Sequence, residues 1–179
     1  MKLKILANNA LNFGVNRVIE IVGITILITG LLLLASLVTF SPDDPNFIFP
    51  SDIEIKNILG FRGSFTADIF FQSFGVIALL IPFSLIVSGG YIVINKKIFL
   101  IIESIFYTIL YSLLGSLFFS FFYPTTFELY INGNGGFIGK FLETTFLNSI
   151  ININSKISYY ILASSILILF LISIQFKIN

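Results

Sequence analysis

The chain has 179 residues, of which 56% are apolar and only 11% are charged. Soluble domains carry about 25% charged residues, so this composition excludes an ordinary soluble globular domain and favours a membrane protein. Ten basic and nine acidic residues give a net charge of +1, which excludes a strongly basic nucleic-acid-binding surface. The absence of Cys and His excludes disulfides, thiolate metal sites and mechanisms that need either side chain.

Four segments are apolar and long enough to cross a bilayer. A hydrocarbon core about 30 Å thick needs roughly 20 mainly apolar residues in a helix. The predicted spans are residues 21–40, 69–94, 98–122 and 157–176. Their apolar residues run continuously instead of alternating, which favours helices over the strands of a barrel. The sequence therefore predicts an all-α membrane protein built as a bundle of four transmembrane helices.

The distribution of basic residues predicts how the bundle is oriented. The N-terminal segment 1–20, the turn 95–97 and the tail 177–179 together hold six Lys and Arg residues, whereas the longer loops 41–68 and 123–156 hold four. Basic residues are retained on the cytoplasmic side of a membrane. We therefore expect both termini to be cytoplasmic and both long loops to lie outside.

The predicted spans contain no charged residue near their middle. Intramembrane charges usually mark a transport path, so their absence argues against a pump, a proton relay or an ion-coupled carrier. A small channel or transporter subunit is the alternative function that remains. An intramembrane enzyme is disfavoured because no His, Cys or carboxylate pair is available to activate a Ser nucleophile.

Small polar residues recur every four positions along the third span, at Ser104, Thr108, Ser112, Ser116 and Ser120. Such residues allow helices to approach closely and to form hydrogen bonds in lipid. The series predicts a face that packs within the bundle or against another copy of the chain. In the second span, Pro82 removes one backbone hydrogen bond and predicts a bend.

The first outer loop carries two motifs. Ser41, Pro42, Asp43, Asp44 and Pro45 follow the first span, where the prolines disfavour helix and the aspartates can bind local backbone N–H groups. The approach to the second span contains Asn57, Gly60, Gly63 and Asp68, and two glycines three positions apart permit unusual backbone angles or a close approach. The acidic residues of this loop fit no calcium-loop spacing, so no metal is predicted.

The second outer loop contains Gly135, Gly136 and Gly139 followed by Lys140. A phosphate-binding loop would need Gly at position 134 and Ser or Thr at position 141, where Asn and Phe stand instead, so neither a nucleotide nor any other cofactor is predicted. Residues 137–151 place apolar side chains at helical spacing. They predict a short amphipathic outer helix that lies flat on the membrane or re-enters it.

Taken in order, these features resemble the N-terminal four-transmembrane domain of the FtsK/SpoIIIE family of bacterial DNA translocases. The similar pieces are the stretch 41–47, the set Asn57, Gly60, Gly63, Ala67 and Asp68, then Phe74-Gly75, Pro82, and Gly135, Gly136 and Gly139. The resemblance covers residues 21–176.

The resemblance implies a non-catalytic membrane anchor and oligomerisation domain, hexameric in the family, that acts in cell division and chromosome segregation. It implies a place in the bacterial inner membrane at the division septum, among other cell-division membrane proteins. The family's motor and DNA-binding domains have no counterpart in residues 1–179, so we expect neither ATP hydrolysis nor direct contact with nucleic acid. The chain is expected to be a fragment, one half of a split gene, or a stand-alone partner.

No catalytic, cofactor-binding or metal-binding residue is predicted. The candidate structural or partner-contact residues are Ser41, Pro42, Asp43, Asp44, Pro45, Asn57, Gly60, Gly63, Asp68, Gly135, Gly136 and Gly139.

Overall fold

The computed structural model describes residues 2–45, 54–125 and 132–176. Within these ranges it contains helices and no strand. The helices are α1 (Lys2–Val38), α2 (Gly60–Phe74), α3 (Ile81–Asn95), α4 (Phe99–Phe122), α5 (Gly136–Glu143), α6 (Phe146–Ile153) and α7 (Ser155–Ser173). The tail 177–179, residues 46–53 of the first outer loop and residues 126–131 of the second outer loop lie outside the described ranges.

The predicted all-α fold with four membrane-spanning helices is confirmed. The stretches long and apolar enough to cross a bilayer are Leu11–Val38, Gly60–Asn95, Phe99–Phe122 and Ser155–Ser173. The second of these contains α2, a 3₁₀ segment over Gly75–Leu80, and α3. The helical part of this stretch thus begins in the polar sequence ahead of residue 69, and it is longer than its apolar run.

The second spanning stretch breaks at Gly75 and not at Pro82, where the sequence predicted a bend. Gly75 ends α2 with a φ of +69°, which favours glycine, and the 3₁₀ segment follows it. Pro82 lies in the first turn of α3, where its missing N–H would have had no helical partner. The proline therefore starts a helix instead of interrupting one.

Glycines bring α3 into close contact with the part of α1 between Gly23 and Gly30. A Cβ atom added to Gly89 would lie 2.6 Å from the backbone nitrogen of Leu27, and one added to Gly30 would lie 2.9 Å from that of Ile86. Backbones that approach this closely gain van der Waals contact, which is a main source of helix association in lipid. Toward α2, a buried apolar cluster continues the packing through Leu33, Leu37, Ala67, Phe71, Ala78 and Ile81.

Buried hydroxyl groups connect α3, α4 and α7. Ser84 Oγ is within hydrogen-bonding distance of Tyr111 Oη (3.0 Å) and Ser173 Oγ (2.7 Å), and Ser104 Oγ donates to the Ser173 carbonyl at 2.8 Å. Polar groups inside a bilayer need such internal partners because water is absent there. Ser112 Oγ is buried without a partner among the described residues. The polar series of α4 thus lies mostly inside the bundle, where Ser104, Ser112, Ser116 and Ser120 are all buried.

Two short helices occupy the stretch for which one amphipathic helix was predicted. The chain turns at Thr144 and Thr145, between α5 and α6, and Thr145 Oγ1 accepts a hydrogen bond from the backbone N–H of Leu147. Asn154 Oδ1 likewise accepts from the N–H of Ile157 at the start of α7. These side chains satisfy N–H groups that would otherwise be unpaired at helix N-termini, so each one starts a new helix.

Candidate functional site

The first group of candidate residues meets where α1 ends and α2 begins. Asp44 is buried, and its two carboxylate oxygens accept hydrogen bonds from the backbone N–H groups of Lys56 and Asn57, each at 2.9 Å. A carboxylate that accepts two backbone N–H groups forms strong, charge-assisted bonds. Asp44 therefore holds the two motifs of the first loop together across the segment 46–53.

Asn57 extends this contact to the end of α1. Its Nδ2 group donates to the Ser36 carbonyl at 2.8 Å, and its Oδ1 accepts from the N–H of Leu59 at 3.1 Å. Ser36 Oγ in turn donates to the Gly63 carbonyl at 2.6 Å. We call the set Ser36, Asp44, Asn57 and Gly63 the loop junction. It fixes the start of α2 against the last turns of α1.

The two glycines of this motif have different physical roles. Gly60 has a φ of +63°, and a Cβ atom there would find open space, so its backbone angle alone favours glycine. Gly63 is helical, but a Cβ atom there would lie 2.1 Å from Asn57 Oδ1. Only the hydrogen atom of glycine fits at Gly63 beside the Asn57 amide.

The remaining candidates of the first loop surround the junction. Ser41 is half-buried and Pro42 is exposed. Asp43 forms an exposed ion pair with Lys56, with 3.2 Å between Oδ2 and Nζ. Pro45 is buried, and its carbonyl accepts a hydrogen bond from Ser64 Oγ at 3.0 Å.

Asp68 lies two turns further along α2 and is half-buried, and its carboxylate accepts a long hydrogen bond of 3.5 Å from Gln72 Nε2 of the same helix. The structure therefore does not bring Asp68 into the junction.

The second group of candidates packs against α4 and the break in the second span. Cβ atoms added to Gly135 and Gly139 would lie 2.4 Å and 2.3 Å from the carbonyl oxygen of Ser116. Gly136 has a φ of +64°, and its Cβ would lie 2.5 Å from the Ser73 carbonyl oxygen. The three glycines therefore allow this loop to contact two helices through its backbone.

Sequence reasoning missed two residues that organise these sites, Ser36 and Asn134. The Asn134 side chain is buried and donates to the Tyr123 carbonyl, while the Asn134 carbonyl accepts from the N–H of Val76 at 2.9 Å. Asn134 Oδ1 is buried without a partner among the described residues. The available signals were an amide directly before two glycines and a lone Ser near the end of an apolar run.

Among the described residues, the polar contacts of the loop junction go to backbone groups. Nowhere in ranges 2–45, 54–125 and 132–176 do three His, Cys, Asp or Glu side chains gather as a metal site would require. The buried carboxylate of Asp44 is used to bind two backbone N–H groups. The loop junction therefore holds the first outer loop in a defined position at the ends of α1 and α2.

Comparison with known proteins adds two similarities. The family described as the 4TM region of DNA translocase FtsK/SpoIIIE matches residues 15–179. A curated protein, DNA translocase FtsK of Rickettsia bellii (strain RML369-C), is 39% identical over 62 residues, which are 35% of this chain and 8% of that protein. The similar part is thus a small share of the relative's length. No solved structure matches the chain.

Proposed function

Since this chain belongs to the family of the 4TM region of DNA translocase FtsK/SpoIIIE, we propose that it is a non-catalytic membrane anchor and oligomerisation domain of an FtsK-like translocase. It acts in the bacterial inner membrane, at the division septum, in cell division and chromosome segregation. The observation that carries the proposal is the family match over residues 15–179 in a chain with four spanning helices.

The use of polar groups in the fold supports a role as an anchor. Buried hydroxyls and amides of the loop junction and of the Ser84 cluster bind other groups of this chain. Hydrogen bonds of this kind fix helices and loops relative to one another. A rigid anchor needs such fixed positions, whereas a catalytic site would need titratable groups directed at a substrate.

The surface of α7 supports assembly with other copies or with division proteins. None of the apolar window of Ser155–Ser173 is buried within the chain. This helix carries the small residues Ala163, Ser164 and Ser165, and Ser164 is exposed. Small residues on a lipid-facing helix allow another helix to pack closely. A hexamer assembled partly through α7 fits both the exposure and the resemblance.

The ends of the helices support the proposed orientation. Lys96, in the turn between α3 and α4, forms an ion pair with Glu20 of α1 at 2.8 Å, and Arg17 contacts the same carboxylate. Lys97 follows directly. This basic end is the one that the positive-inside rule retains in the cytoplasm, so both termini are proposed to be cytoplasmic and no direct contact with nucleic acid is proposed for this chain.

Localisation and cross-linking in a bacterial host test the two parts of the proposal. A fluorescent fusion should fractionate with the inner membrane and concentrate at midcell, and Gly63→Leu should weaken midcell recruitment more than Gly90→Ala, where a Cβ meets open space. An evenly distributed membrane signal for the native chain would refute septal recruitment.

Oligomerisation has its own experiment because the chain contains no Cys. Ser164→Cys, on the exposed face of α7, should give cross-linked dimers, the largest species that one Cys per chain allows, while Ser36→Cys, in the buried loop junction, should give none. Cross-links that are no more abundant for Ser164→Cys than for Ser36→Cys would exclude assembly through this face of α7.

A further inference from the structure

An apolar groove opens between α1 and α2 on the outside of the bundle. The volume of the groove is about 330 Å³, its walls are formed by Leu32, Leu33, Leu59, Phe70 and Leu85, and Arg62 lies at one end.

 The groove follows α1 from Ser36 to Thr29, a rise of about 10 Å at 1.5 Å per residue.

Positive charge collects at the end of this groove where α2 begins. Arg62 is exposed, and none of the ion pairs among the described residues includes it. It lies in the first turn of α2, and no side chain caps that helix N-terminus. Unpaired N–H groups at a helix N-terminus attract anions, and the Arg62 guanidinium adds a full positive charge beside them.

The groove therefore matches an amphipathic anion: a negative group at Arg62 and an apolar chain along α1. We propose that it binds one anionic phospholipid, with the headgroup phosphate at Arg62 and an acyl chain between α1 and α2. Arg binds phosphate with paired, charge-assisted hydrogen bonds, and the aliphatic part of its side chain tolerates the membrane interface.

The charge at the end of the groove favours a lipid over a helix from a second copy. A second copy would have to supply a carboxylate at Arg62, whereas an anionic phospholipid carries its phosphate next to its acyl chains. The proposal does not depend on the function proposed above, nor on which leaflet faces Arg62.

Native mass spectrometry of the purified chain in detergent tests the proposal. With added phosphatidylglycerol, one bound lipid should persist, and phosphatidylcholine should bind less tightly. Arg62→Gln should weaken phosphatidylglycerol binding by about tenfold, because a charge-assisted contact is lost. Lys140→Gln is the matched control, since Lys140 is exposed and does not line the groove, and it should leave binding unchanged.

A second variant tests the acyl chain separately from the headgroup. Thr29→Phe fills the far end of the groove and should weaken both lipids equally, and glycerol phosphate, which has no acyl chain, should not compete. The proposal is overturned if Arg62→Gln binds phosphatidylglycerol as the native chain does, or if glycerol phosphate competes as well as the lipid. It is also overturned if the groove variants change only the oligomeric state, which would indicate a second copy in the groove.

Discussion

Replacing Gly63 by Ala tests whether the loop junction is as tightly packed as the structure shows. The new Cβ atom would lie 2.1 Å from Asn57 Oδ1 and 2.6 Å from Leu59 Cβ. Both distances are far below van der Waals contact, so the Asn57 side chain or the start of α2 has to move. Movement of Asn57 breaks its hydrogen bond to the Ser36 carbonyl, which is 2.8 Å long.

The expected loss of stability follows from these contacts. Overpacking costs about 1–3 kcal/mol, and leaving a buried hydrogen-bonding group unpaired costs about 1–3 kcal/mol. Ala gains about 0.5–1 kcal/mol over Gly in a helix interior, which offsets part of this. We therefore expect Gly63→Ala to lower the free energy of unfolding by about 1–5 kcal/mol.

Unfolding in mixed micelles with increasing SDS, followed by far-UV circular dichroism, measures this difference. The control is Gly90→Ala in α3, where a Cβ atom meets nothing within 4 Å and where stability should stay equal or rise slightly. Equal unfolding midpoints for Gly63→Ala and Gly90→Ala would refute the reasoning.

Repeating Gly63→Ala in an Asn57→Ala background tests whether the clash with Asn57 causes the loss of stability. Without the Asn57 amide, Gly63→Ala should cost less than it does in the native chain, because the shortest of the clashes is gone and only Leu59 remains close. The double-mutant cycle should therefore give a non-zero coupling energy. Additive effects would mean that the two side chains do not interact.

Three further predictions use the same unfolding measurement or hydrogen exchange. Asp44→Ala should destabilise the chain by about 2–4 kcal/mol, since two backbone N–H groups lose a charged acceptor. Asp43→Ala removes only an exposed ion pair and should change stability little. Similar losses for both would contradict the role of Asp44 in the loop junction. Ser112→Ala should be neutral or stabilising because its buried hydroxyl has no partner among the described residues, while Ser84→Ala should cost about 1–2 kcal/mol by removing two hydrogen bonds. A larger loss for Ser112→Ala than for Ser84→Ala would count against the Ser84 cluster. Gly136→Ala should speed amide exchange across α5, because φ is +64° and the new Cβ would lie 2.5 Å from a carbonyl oxygen of α2; unchanged exchange would show that the loop tolerates a side chain there.

Hydropathy alone predicted the four spanning helices because continuous apolar runs of that length are typical of helices that cross a bilayer. It did not predict that α2 begins at Gly60, since Arg62, Ser64 and Thr66 interrupt the apolar pattern. The structure includes them in the helix because Ser64 Oγ bonds to the Pro45 carbonyl and Thr66 Oγ1 to the Arg62 carbonyl. Such hydrogen bonds depend on the fold, so the hydropathy of a sequence segment does not take them into account.

The position of the break in the second span needed information from a distant part of the chain. Pro82 was a local signal and predicted a bend at the wrong residue. Gly75 adopts its positive φ in contact with Asn134, since a Cβ there would lie 1.9 Å from the Asn134 carbonyl oxygen and the neighbouring Val76 N–H bonds to that same oxygen. A contact between residues 59 positions apart is set by tertiary packing.

The sequence identified the loop motifs as positions with special backbone requirements, but it did not identify the residues that they contact. Asp44, Asn57 and Gly63 were singled out for turn chemistry, and the structure joins them to one another and to Ser36. Nothing in the spacing indicated that Ser36 would complete the junction. The contribution of these residues to recruitment stays a proposal that the localisation experiment addresses.

The peripheral position of α7 makes the domain sensitive to membrane thickness. Its 19 residues rise about 28 Å, close to the roughly 30 Å of a hydrocarbon core, so this helix has little surplus length. Since no residue of its apolar window is fully buried and one side of the helix is open to lipid, hydrophobic mismatch acts directly on it. The bonds at Ser173 hold one end of α7 in place, so a thicker or thinner bilayer has to be accommodated by deforming lipid or by tilting the helix about that end.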